Sequence, residues 1–230
     1  MYHGRPALGR PTHWRTRPPT CHDARVARTV HVAPLELAGR RVTLRTMGDG
    51  DYDAWFAVRD RCRDWLVPWE PRPKGAPPPA EDRQSFAARC AIRERERQLG
   101  TGYGFGIFVE GQFAGEITLS SIQRGPFQSG HVGYWIDRSL AGRGYVPEAV
   151  VTVLQFSFDS IGLHRVEISI IPRNHSSLRV VEKLGIRSEG VAERFLEIDG
   201  HWEDHARFGI TAEEWQVRRA ELVDAWLNQR

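Results

Sequence analysis

Residues 131–150 read HVGYWIDRSLAGRGYVPEAV, and this stretch decides the fold. Val132, Tyr134 and Ile136 alternate along a run rich in β-branched and aromatic residues, which predicts a strand. Gly142 and Gly144 then let the backbone turn sharply and approach a ligand closely. Tyr145 to Phe158 carry apolar side chains at helical spacing. A strand, a glycine turn and a helix in that order present unpaired N–H groups and the positive end of a helix dipole to an anion. A pyrophosphate or similar group is therefore the first ligand to expect.

Working downstream, His164 to Ile171 places Val166, Ile168 and Ile170 on one face of a strand. Ser176 to Gly185 reads as a helix with Leu178, Val181 and Leu184 inward and Gly185 as its stop. Strands around Val191 to Ile198 and Trp202 to Ile210 flank the turn Asp199-Gly200. Upstream, Phe105, Ile107 and Val109 alternate before the turn Glu110-Gly111, and Phe113 to Ile122 completes the hairpin. Glu81 to Gln98 predicts a charged helix with Phe86, Ala87, Cys90 and Ile92 as its inward face. The six prolines between Pro68 and Pro79 require a loop. Before it, Asp49 or Asp51 caps a helix carrying Tyr52, Trp55, Phe56 and Val58, and Arg41 to Arg45 alternates as a half-buried strand. The order β, α, α, three β, α, β, α, β, β makes an α/β protein of the α+β type, a mixed sheet covered by helices in one domain.

The 230 residues suffice for one domain with a sizeable core, and no apolar run approaches the ~18 residues of a membrane span. Cys21, Cys62 and Cys90 are odd in number and lack metal-ligand spacing, and there is no HExxH motif. Neither a disulfide framework nor a metal site is expected, which fits a reducing cytoplasm. The net charge of +3 is uneven. Residues 1–31 hold six arginines and one aspartate, +5, which leaves −2 for the remainder, so the folded part has no basic footprint for nucleic acid. The segment 1–34 reads as a disordered basic tail without the apolar core of a secretory signal. Alternatively it is an arm that touches RNA, or the product of an upstream start, with Val26, Val30 and Val32 as alternative bacterial starts.

GYWIDRSLAGRGYVPEAV followed some thirty residues later by IPRNHSSLRVVEKLGIRSEG resembles the GCN5-related N-acetyltransferases (GNAT), and within them the RimJ/RimL-like ribosomal-protein N-terminal acetyltransferases. LHRVEISI and GHWEDHARFGI extend the resemblance from about Leu35 to Trp215. It implies a GNAT domain over residues 35–215, a C-terminal helical tail over 216–230, and a central, mostly antiparallel sheet whose one parallel pair is splayed. The family's pyrophosphate turn carries Gln or Arg first and Gly or Ala last. Here Ala141, Gly142, Arg143, Gly144, Tyr145 and Val146 occupy the motif, so Ala141 and Val146 depart from it.

The resemblance implies acetyl-CoA as co-substrate, with its pantetheine arm between the strands Gly133 to Asp137 and Glu167 to Ile171. Tyr134, Trp135, Ile136, Gly142, Arg143, Gly144, Tyr145, Val146, Asn174 and Ser177 are the implied cofactor-binding residues. Ser177 is the implied acid that protonates the leaving sulfur, with Asn174 binding cofactor or, alternatively, Asn174 or Ser176 simply capping the helix. Glu116 is a candidate base; its alternation with Ile117 and Leu119 is equally read as an outward, solvated position, and positioning alone can dispense with a base. Glu197, Asp199 and His201 are candidates for holding a cationic amine. Trp65, Trp69, Tyr134, Trp135 and Trp202 either wall a pocket or belong to the core, and His164 and His205 read as structural. The expected acceptor is the N-terminal α-amine of a (ribosomal) protein. The alternatives are a small-molecule amine such as an antibiotic or amino acid, and acyl-CoA binding without turnover. A homodimer is plausible from the fold.

Overall fold

The computed structural model describes residues 35–77 and 79–228; the reading of 1–34 as a tail lies outside them. Eight strands form one sheet: β1 (Glu36–Ala38), β2 (Val42–Arg45), β3 (Tyr103–Val109), β4 (Gln112–Gln123), β5 (Ser129–Ile136), β6 (Arg165–Ile170), β7 (Arg187–Ile198) and β8 (His201–Thr211). Their order is β1-β2-β3-β4-β5-β6-β8-β7, and every neighbouring pair is antiparallel except β5 and β6. The parallel pair holds register only through Ser129↔Arg165, Gly130↔Val166 and His131↔Glu167. Beyond those pairs the two strands part, so the mixed sheet with a splayed parallel pair is as expected.

Among the described residues six α-helices cover the sheet: α1 (Tyr52–Arg61), α2 (Arg63–Leu66), α3 (Arg83–Leu99), α4 (Tyr145–Gln155), α5 (His175–Lys183) and α6 (Ala212–Trp226). On one face α4 packs on Phe105, Ile107, Ile117, Leu119, Val132 and Ile136. On the other, α1 and α3 enclose a second cluster of Trp55, Val58, Cys62, Leu66, Phe86, Phe108 and Phe113. The period of two along the strands sends alternate residues to the two cores.

The termini of the helices follow local chemistry. Asp82 caps α3 by accepting from Ser85 N, and Gly100 ends it at φ 68°. Thr211 and Glu214 form a reciprocal capping box at the start of α6. Gly185 takes φ 57° after α5, as the sequence predicts.

Two expectations are corrected. Ile92 is exposed, and the inner side of α3 presents Arg89 and Arg93 beside Phe86, because a buried carboxylate on β4 attracts them. A short edge strand, β1, precedes the strand that the sequence predicts from Arg41; its Leu37 pairs with Leu44 and packs on the core. The segment 216–230 is no appended tail: α6 begins at Ala212, buries Trp215 and Leu222, and packs with Val223 and Trp226 against the core beside α4. Nine residues of α4 are consequently buried, which explains a helix that is apolar all round.

A Cβ at Gly115 would lie 2.2 Å from the Trp135 carbonyl oxygen on β5. Gly115→Ala should therefore push β4 from β5 and destabilise the fold by about 1–3 kcal/mol. That corresponds to a thermal midpoint lowered by roughly 2–12 °C. An unchanged midpoint would mean the strands part at no cost.

No described helix is long and apolar enough to cross a membrane.

Candidate functional site

Where β5 and β6 part, a cleft of about 960 Å³ opens through the sheet. One half lies toward α4 and α5 and is lined by Ile136, Gly142, Gly144, Tyr145, Val146, Asn174 and Ser177. The other half lies toward α2 and the β7–β8 hairpin and is lined by Trp65, Trp69, Glu116, Trp135, Phe195 and Leu196. Tyr134, Trp135, Ile136, Gly142, Gly144, Tyr145, Val146, Asn174, Ser177, Trp69 and Glu116 thus meet at one place.

In the first half, Gly142 and Gly144 adopt φ 78° and 88°, the left-handed region that favours glycine, and Gly144 caps α4. The N–H groups of Tyr145 and Val146 have no partner within the helix, and Pro147 has none to offer. Arg143 does not line the cleft, contrary to expectation; its side chain is exposed and its carbonyl accepts from Arg41 at 3.2 Å. The cation beside the turn is instead Arg41, from β2's leading edge. Its guanidinium lies 4.8 Å from the centre of the Tyr145 ring and donates to Glu148 at 2.9 Å. Glu148 is fully buried and also accepts from the backbone N–H groups of Arg41 and Val42. This pairing spans more than a hundred residues and left no local signal to read.

Asn174 acts as the helix cap: its side chain accepts from Ser177 N at 3.1 Å. The Ser177 side chain borders the cleft, and the Ser177 carbonyl accepts from the Tyr134 hydroxyl at 3.2 Å. Burial pushes the Tyr134 phenol well above its ordinary value. Asp137 caps the turn Arg138–Leu140 that leads into the glycine loop by accepting from Ser139 N, and it pairs with Arg61. Burial alone would raise its pKa, yet the bonds from Arg61 and Ser139 hold it below the usual range.

Glu116 is not outward on a solvated face; it is 2% exposed, between β4 and the α1/α3 layer. Trp55 Nε1 donates to it at 2.7 Å, Arg93 stands 2.5 Å away and Arg89 3.1 Å. Burial would raise its pKa, but the charges of Arg93 and Arg89 outweigh that and hold it low. A carboxylate so engaged is a poor proton acceptor, because protonation would forfeit both ion pairs.

The second half has a roof. Pro71 bridges to Ile198, Arg72 N donates to the Glu197 carbonyl at 3.0 Å, and Gly200 N donates to the Arg72 carbonyl at 2.9 Å. The proline-rich segment thereby docks on the tip of the β7–β8 hairpin. Glu197 does not line the cleft: its carboxylate accepts from Lys74 N at 2.8 Å, and Asp199 pairs with Arg72. Two of the three candidate amine ligands are spent on holding the roof. Trp69 does line the cleft, with the Arg173 guanidinium 4.8 Å from its ring centre. Trp202 is exposed on the hairpin and walls nothing, and His201 does not border the cleft. His164 pairs with Glu213 at the surface, whereas the buried His205 contacts the Glu203 carbonyl and reaches the cleft wall. Among the described residues there is no cluster of side chains suited to a metal ion.

Comparison with known proteins agrees with this geometry. Residues 41–187 match the family model described as an acetyltransferase (GNAT) domain. The chain is 28% identical over 192 residues to the [ribosomal protein uS5]-alanine N-acetyltransferase of Escherichia coli, covering 82% of this chain and 97% of that protein. It is 41% identical over 110 residues to the probable N-acetyltransferase YjcK of Bacillus subtilis, an alignment spanning 47% of this chain and 61% of YjcK. Among solved structures, Mycobacterium smegmatis RimJ in complex with CoA-disulfide superposes with a TM-score of 0.75 at 32% identity, covering 84% of this chain and 92% of that one.

Proposed function

Because the chain belongs to the GNAT acetyltransferases, we propose that it transfers the acetyl group of acetyl-CoA to a primary amine, the N-terminal α-amine of a protein. The observation that carries this reading is the cleft that runs through the sheet, with a phosphate-type turn at one end and an aromatic, roofed chamber at the other. A donor and an acceptor can enter from opposite faces and meet where β5 and β6 part. The relatives named for acetylating a ribosomal-protein alanine supply the acceptor class.

The first-turn N–H groups of α4 suit the pyrophosphate, aided by the adjacent Arg41 charge. Backbone groups along the parted edges of β5 and β6 suit the pantetheine amides, in the manner of an added strand. The thioester then lies near Ser177, whose hydroxyl we assign as proton donor to the departing thiolate. Tyr134 is a less apt donor because its hydroxyl is committed to the Ser177 carbonyl. At saturating acetyl-CoA, Ser177→Ala should lower kcat about tenfold to a hundredfold while CoA affinity stays within about threefold. An undiminished kcat would transfer the role to Tyr134, to be checked with Tyr134→Phe.

The roof favours slender acceptors that enter end-on, which includes a small amine as well as a peptide terminus. Thiol release from acetyl-CoA, measured against a panel of N-terminal peptides and small amines, separates the two. Turnover confined to peptides supports the proposed acceptor, and turnover confined to small amines replaces it. Firm acetyl-CoA binding with no release from any amine would make this an acyl-CoA-binding protein instead.

A further inference from the structure

We propose that His131 takes the proton from the acceptor's ammonium, directly or through one water, an assignment that rests on the acetyl-transfer reading above. His131 is the last residue of β5 to pair with β6, opposite Glu167, so it stands at the apex of the split where the two halves of the cleft join. It lines that cleft. Strand alternation sets it on the same face as Gly133 and Trp135, away from the core that takes Val132 and Ile136, and hence on the acceptor's side. Of the other candidate bases lining the cleft, Glu116 is engaged by two arginines and an indole, Glu70 by Arg59, the Tyr134 hydroxyl by the Ser177 carbonyl, and His205 through Nδ1 by the Glu203 carbonyl.

The surroundings of His131 keep its imidazole uncharged. From β4 it faces Ser120, whose hydroxyl donates to the His131 carbonyl at 3.4 Å. From β6 come Glu167 and Arg165, and from β8 comes Arg207. Glu167 pairs with both arginines, so its charge is already neutralised. Burial first, then the charges of Arg207 and Arg165, hold the imidazole below its ordinary value. At neutral pH it is a free base.

The proton balance closes. One ammonium N–H bond breaks toward His131, and the freed nitrogen lone pair forms a C–N bond to the thioester carbonyl. The tetrahedral centre collapses as the C–S bond breaks, the Ser177 hydroxyl protonates the thiolate, and a second N–H proton restores that hydroxyl. The imidazolium returns its proton to solvent, so the products are the amide, the CoA thiol and one proton. A base this weak suits an α-amine, with a pKa of about 8, far better than a lysine side chain near 10.4; the gap makes the lysine amine roughly 300-fold harder to deprotonate.

The test is the pH dependence of thiol release by the full chain at saturating acetyl-CoA and peptide, for the unmodified protein, His131→Ala and His131→Gln. In the unmodified protein kcat should rise with pH through an inflection below about 6.5 and then level. Both variants should lose that inflection and about 10²–10⁴-fold in kcat, with CoA affinity and thermal midpoint retained. Added imidazole should restore part of the rate to His131→Ala. The assignment is overturned if either variant keeps the acid inflection, or if His131→Gln retains kcat within about threefold. An unmodified protein that binds acetyl-CoA but acetylates no amine would sink acetyl transfer itself, and this assignment with it.

Discussion

Replacing Glu116 by glutamine is expected to destabilise the protein by about 3 kcal/mol, the low end for breaking a buried ion pair. The carboxylate is the shared counter-ion of Arg89 and Arg93 and accepts from the Trp55 indole, all in one layer between β4 and the helices α1 and α3. The amide removes the negative charge and leaves two like charges facing each other. The low end applies because the arginine side chains retain 32% and 22% exposure and recover some hydration. For a domain of this size the thermal midpoint should fall by roughly 6–12 °C. The sign with pH follows from the direction of the shift. The folded-state pKa of Glu116 lies below its ordinary value of 4.5, so its contribution is complete above that value and is lost as pH falls through the lower, folded value. Acid unfolding should therefore be steeper in the unmodified protein than in Glu116→Gln. Equal stability of the two at neutral pH would refute the counter-ion role. A variant that is stable but has lost the acid inflection of kcat would return the base to Glu116.

Gly144→Val should weaken acetyl-CoA binding by about a hundredfold or more, measured by titration calorimetry. Gly144 is held at φ 88° as the cap of α4, and a Cβ there would lie 3.1 Å from Arg41 Nη2. A β-branched residue resists that conformation by about 1–2 kcal/mol and displaces the guanidinium that flanks the turn. Both effects misdirect the first-turn N–H groups, and a loss of about 2.7 kcal/mol is a hundredfold in affinity. Gly142→Ala probes the conformation alone, because nothing lies within 4 Å of a Cβ at that position while φ is 78°. It should weaken binding less than Gly144→Val does. Undiminished affinity in Gly144→Val would show that the turn does not hold the pyrophosphate.

Arg41 and Glu148 add a structural reason for the turn's position. Glu148 sits one turn into α4 and receives two N–H groups from the start of β2, while Arg41 reaches over Tyr145 to the Arg143 carbonyl. The edge of the sheet thus fixes the helix end that faces the ligand. The departure of the motif at Ala141 and Val146 is compatible with this arrangement. Val146 is buried at the cleft wall as part of the helix, and Ala141 packs against the core.

By itself the sequence determined the order of the elements from β2 to β8, both glycine turns and the pairing of the two motifs that identify the family. Those features are local: alternation, helical spacing and left-handed glycines are set by neighbours a few residues apart. It also singled out residues that line the half of the cleft proposed for the cofactor, because Gly142, Gly144 and Asn174 lie within those motifs. Tertiary structure alone decided the rest, since each remaining role depends on a partner remote in the chain. Glu116 became a counter-ion once α3 brought Arg89 and Arg93 to it, which also turned the predicted apolar stripe of α3 toward solvent at Ile92. Glu197 and Asp199 became roof ties when the proline-rich segment, over a hundred residues earlier, docked on their hairpin. His131 gained its meaning from the end of the β5–β6 pairing, and α6 from the exposed back of α4. Charge and apolar surface are matched across the fold rather than along the chain, so a carboxylate's role is set by what folding brings within a few ångströms of it.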